Sequence, residues 1–99
     1  MKVTRVRVGA QTEAQLRWLA SQHWGASCSV RQGLKLGTTL GILPSCEDRY
    51  PFTRNLWLSP SDLEAIRATG LPQSVAIRSA IAVAYRFHKQ LQQGLREVA

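Results

Sequence analysis

The stretch from Arg54 to Leu91, RNLWLSPSDLEAIRATGLPQSVAIRSAIAVAYRFHKQL, limits most narrowly what this chain can fold into. Arg54 to Leu58 alternates, with Leu56 and Leu58 on one side, and reads as a short half-buried strand. Ser59-Pro60-Ser61-Asp62 is a helix start: Ser59 as N-cap, Pro60 at the first helical position, Asp62 in the turn that favours an acid. Leu63, Ile66 and Arg67 keep helical spacing until Thr69-Gly70, where glycine tolerates the left-handed conformation that stops a helix. After the tight link Leu71 to Ser74, the residues Ala76, Ile77, Ala80, Ile81, Ala84, His88 and Leu91 form one long apolar stripe at spacings of three and four. The order is strand, short helix, turn, long helix, and the lone strand requires a partner strand.

The first half of the chain supplies one. Lys2 to Val8 alternates, with Thr4, Val6 and Val8 on one face and Arg5 and Arg7 on the other. Thr12 and Gln15 stand at capping-box spacing before a helix carrying Leu16, Leu19 and Ala20, which Gly25 is expected to end. A further helix starts near Ser27, weakens at Gly33 and Gly37, and ends near Leu40. Ser27 to Gly37 (SCSVRQGLKLG) aligns without a gap on Ser74 to Ala84 (SVAIRSAIAVA) at an offset of 47, and the same offset puts Leu16 on Leu63 and Leu19 on Ile66. The strands align at an offset of 50, Val6 and Val8 on Leu56 and Leu58. Small residues recur four apart in both long helices, Gly33 with Gly37 and Ala80 with Ala84. That pattern suits a close crossing between the two, which would offset the roughly 0.5–1 kcal/mol a helical glycine costs.

L-S-P-x-D-L before the short helix and S-x-x-I-R-x-A-I in the long one resemble the ribbon-helix-helix family of DNA-binding proteins, the family of Arc, CopG and MetJ. The resemblance implies a mainly α fold with a two-stranded antiparallel β-ribbon that enters the DNA major groove. The repeat implies a tandem β-α-α-β-α-α pseudo-dimer in one chain, similar in architecture to TraY-type conjugation proteins. The expected organisation is a single domain over 1–99, with a first copy at 1–40, a linker at 41–52 and a second copy at 53–99. Within the linker, Gly41, Pro44 and Pro51 break regular structure, Glu47-Asp48-Arg49 reads as a solvated turn, and Ile42, Leu43, Tyr50 and Phe52 could pin it to the core. The tail from Gln90 continues helically through Leu91 and Leu95.

With the aliphatic side chains turned in, Arg5, Arg7, Asn55 and Trp57 face out, with Val3 and Thr53 at the ends. Arginine can donate two hydrogen bonds to guanine and asparagine can pair both ways with adenine, so these four are the candidate base contacts. The alternative is that outward arginines only keep a strand edge soluble. The resemblance places phosphate contacts at the starts of the long helices, on Ser27, Cys28 and Ser29 and on Gln73, Ser74 and Val75. Helix N-termini offer N–H donors and partial positive charge, though the same serines could serve as plain N-caps. Arg31 and Arg78 either add phosphate charge or form surface ion pairs. Pro72 departs from the Ser or Thr that the family pattern favours there. Trp18 and Trp24 are expected in the core or on a partner surface.

The net charge of +7 is carried mainly by arginines and suits a polyanionic partner. It is uneven: residues 1–43 hold six Lys/Arg against one acid (6 − 1 = +5), and residues 44–99 seven against five (7 − 5 = +2). The unlike strands, RVRV and NLWL, predict an asymmetric target core, since a homodimer's palindrome follows from its own dyad. No set of residues suits catalysis, so an enzyme is not expected. Cys28, Cys46, His23 and His88 lack metal-ligand spacing, the thiols read as buried or idle, and no metal or cofactor is expected. No apolar run matches a bilayer span and no signal peptide is evident, which predicts a cytoplasmic protein without a membrane partner. The function expected is sequence-specific binding of double-stranded DNA, as a small transcriptional repressor, with self-association on DNA as a further possibility. The alternatives are an accessory protein at a plasmid or mobile-element origin and an antitoxin-type protein-binding module.

Overall fold

A computed structural model describes residues 2–40 and 51–98. Its elements run β1 (Lys2–Val8), α1 (Ala10–Ser21), α2 (Ala26–Leu40), β2 (Phe52–Leu58), α3 (Pro60–Ala68) and α4 (Gln73–Val98). Among the described residues the fold is mainly helical, four helices with one two-stranded antiparallel sheet. β1 and β2 pair along their full length, from Lys2 opposite Leu58 to Val8 opposite Phe52. The second strand starts at Phe52, so that residue, expected in the linker, opens β2 instead. Residues 41–50 of the expected linker, with Cys46 and the Glu47-Asp48-Arg49 turn, lie outside the described residues.

Strand alternation does what the sequence requires of it. Val6, Val8, Leu56 and Leu58 are buried beneath the ribbon against Leu16, Leu19, Val30, Leu34, Ile77 and Ile81 of the helices. Each such aliphatic side chain removed from water contributes about 1.5–3 kcal/mol. The long helices α2 and α4 cross at Gly33. A Cβ built there would overlap the backbone carbonyl of Ala80, so only glycine lets the backbones come this close.

The cap at α3 forms as read: the Asp62 N–H donates to Ser59 Oγ at 3.2 Å and the Ser59 N–H to Asp62 Oδ2 at 2.9 Å, with Pro60 at the first position. Gly70 ends that helix at φ 74°. α1 differs from expectation at both ends. It starts at Ala10 after Gly9 with no side-chain cap, and Thr12 and Gln15 are buried residues within the helix rather than a capping box. Its stop is His23 at φ 68°, not Gly25; the N–H groups of His23 and Trp24 return to the carbonyls of Ala20 and Leu19. On α4 the buried stripe runs from Ala76 through His88 but stops before Leu91, which is 48% exposed. Trp18 packs on the core edge-on to Tyr85, with ring centroids 5.3 Å apart and Lys89 Nζ 4.6 Å above its ring. Trp24 is exposed and stacks on His88 at 4.4 Å. No helix among the described residues is long and apolar enough to cross a membrane.

Candidate nucleic-acid interface

The ribbon's second face is open. Arg5, Arg7, Asn55 and Trp57 are all exposed on it, together with Val3 and Thr53. The register sets three rungs along this face: Val3 opposite Trp57, Arg5 opposite Asn55, Arg7 opposite Thr53. The strand phase read from the sequence therefore holds in both strands, including the outward placement of Trp57.

The register also shows where residues matched in the two sequence alignments lie. Strand residues matched at offset 50 meet only at Arg5 and Asn55, the middle rung. Helix residues matched at offset 47 meet where Gly33 crosses Ala80.

The starts of the long helices are tied to the ribbon's two outer edges, each to the strand of the other half. The Trp57 N–H donates to Ser27 Oγ at 2.9 Å, which docks the start of α2 beside β2. Arg78 Nη1 donates to the Arg7 carbonyl at 3.0 Å, which docks the start of α4 beside β1. The first intrahelical bonds run from Ser29 to Gly25 and from Ala76 to Pro72, so the N–H groups of residues 26–28 and 73–75 lie ahead of them. α1 and α3 carry an acid in the first turn, Glu13 and Asp62, whereas α2 and α4 carry none. The long helices thus leave the partial positive charge of their starts uncompensated by a side chain of their own.

Several residues expected at phosphate are engaged elsewhere. Ser29 is fully buried and its hydroxyl donates to the Gly25 carbonyl at 2.9 Å, so it faces inward. Arg31 grips Asp62 with both arms, Nε to Oδ1 at 3.0 Å and Nη2 to Oδ2 at 3.1 Å. Arg78 is buried against β1 as described. The Ser27 hydroxyl accepts a hydrogen bond from a strand N–H. Cys28 and Gln73 are exposed, Ser74 and Val75 half-exposed; Cys28 carries a free thiol, not a buried one.

An ion pair was one of the two readings for Arg31, but neither its partner Asp62 nor the Arg54–Glu13 pair was expected from the sequence. Arg54, on the inner side of β2, holds Glu13 of α1 at 2.8 and 2.6 Å. Glu13 is held below the usual carboxylate range chiefly by that Arg54 bond, against the opposing effect of burial. Asp62 is likewise lowered, chiefly by Arg31 and further by the Ser59 cap. Both pairs join one half of the chain to the other. No pattern within either half points to them, because they depend on how the halves cross. Among the described residues, no group of three or more His, Cys, Asp or Glu side chains could hold a metal ion. No family model, curated protein or solved structure matches this chain.

Proposed function

We propose that the chain is a tandem ribbon-helix-helix pseudo-dimer that binds double-stranded DNA sequence-specifically, laying its β-ribbon in the major groove and acting as a small repressor by occupancy. The observation that carries this reading is the ribbon's open face, where Arg5, Arg7 and Asn55 stand side by side while the opposite face is committed to the core. A two-stranded ribbon fits the major groove, and Arg and Asn match guanine and adenine edges there. The starts of α2 and α4 flank the ribbon on both sides, with Ala26, Ser27 and Cys28 and with Gln73, Ser74 and Val75 offering backbone donors to phosphates. The charge of +7 supplies the sequence-independent attraction.

The test is selection from random duplexes followed by titration of the selected site. Arg5→Ala and Arg7→Ala should each weaken specific binding by about 1–3 kcal/mol per lost bidentate contact, with an unchanged circular-dichroism spectrum. Wild-type affinity in both variants would remove the ribbon as the reader. Protection of the protein's own upstream DNA in a footprint supports repression; protection at a transfer origin alone supports the accessory role.

A further inference from the structure

Building on the DNA-binding reading, we propose that the ribbon has a direction: its Val3/Trp57 end selects thymine through the C5 methyl group, and its Arg7/Thr53 end selects guanine. The three outward rungs are chemically graded. At one end Val3 and Trp57 lie directly opposite each other, 50% and 58% exposed, an apolar pair on an otherwise polar face. Opposed side chains on one face of an antiparallel pair stand about 5 Å apart at Cβ, so the two make one patch. The middle rung is Arg5 with Asn55, and the far rung is Arg7 with Thr53.

The groove offers such a patch a single kind of partner. Among the base edges in the major groove the only apolar group is the thymine methyl, whereas guanine presents two acceptors in line for an arginine fork. Trp57 is also fixed at its root, since its N–H is bonded to Ser27 at the start of α2. Four residue steps separate the outer rungs on each strand, about 14 Å at ~3.4 Å per residue. That is roughly four steps along a strand of B-DNA, whose charges recur every ~3.4 Å. Because the apolar and cationic ends lie on opposite sides of the Arg5/Asn55 centre, turning the protein end for end on its site exchanges the two chemistries and mismatches both.

The experiment uses the full chain and the duplex it selects. Thymines at one end of the core are replaced by deoxyuridine, which removes only the methyl, and guanines at the other end by 7-deazaguanine, which removes only the N7 acceptor. Expected is a three- to ten-fold weakening from each. The uracil effect should vanish in Trp57→Ala and the deazaguanine effect in Arg7→Ala. A palindromic selected core, an indifferent uracil substitution, or a uracil effect that survives in Trp57→Ala overturns the direction while leaving DNA binding in place. Failure to select any duplex overturns DNA binding itself. A second copy of the chain is the competing occupant of the apolar end: DNA-free self-association seen by sedimentation and abolished by Trp57→Ala would also overturn the proposal.

Discussion

Gly33 lies so close to Ala80 that a methyl group on the glycine would overlap the alanine's carbonyl. The obstruction is backbone, which cannot rotate away. Gly33→Ala should therefore lower stability by about 1–3 kcal/mol or more from overpacking, despite the ~1 kcal/mol that alanine gains as a helix former. Gly94, also helical but with nothing near its missing Cβ, is the control. Gly94→Ala should be neutral or raise stability by about 0.5–1 kcal/mol. Thermal melts of the two variants make the comparison.

Asp62 answers three demands, accepting from both arms of Arg31 and from the Ser59 N–H. Asp62→Ala should cost about 2 kcal/mol or more, combining a lost cap with lost charged hydrogen bonds. Because Glu13 and Asp62 are both held below their ordinary values, the stability they contribute is present above those values and is lost as pH falls through the lower folded ones. Denaturant melts should weaken from about pH 4 downward. A Glu13→Gln, Asp62→Asn double variant should show a shallower acid slope.

His88 has the opposite charge logic. It is buried on α4, its Nε2 is 2.8 Å from Gln32 Oε1 and its ring lies against Trp24. Burial lowers its pKa, so the folded state favours neutral imidazole. The unfolded chain takes up a proton first as pH falls below the ordinary histidine value of about 6.5. Stability should accordingly drop between neutral and mildly acidic pH, and His88→Phe should remove that segment of the curve.

Neither half can complete itself. β1 pairs with β2, Arg54 of the second half holds Glu13 of the first, and Arg31 of the first holds Asp62 of the second. Peptides 1–40 and 51–99 should each lack cooperative structure alone. Mixed in equal amounts they should regain helical circular dichroism and a cooperative melt.

Local chemistry was readable wherever one stretch determines it. The Ser59-Pro60-Ser61-Asp62 cap, the Gly70 stop, both strand phases and the Ala76 to His88 face are each written within a single element. Legibility failed where a partner element decides. Arg31 and Arg78 look like exposed helix-start cations until the crossing halves bring Asp62 and the Arg7 carbonyl to them. Ser29 sits one helical step from exposed Cys28, and only the packing of α2 shows that it turns inward. His23 stops α1 although Gly25 is the better left-handed residue, because the helix has already spent its buried face by Leu19. Leu91 continues the apolar period of α4 without being buried.

The two strands of the ribbon belong to one polypeptide, and that alters how the molecule responds to dilution. A ribbon shared between separate subunits falls apart below its dissociation constant, so its working form declines with the square of subunit concentration. Here the number of intact blades tracks the number of chains at any dose. Each strand is also free to change without forcing the same change on its mate.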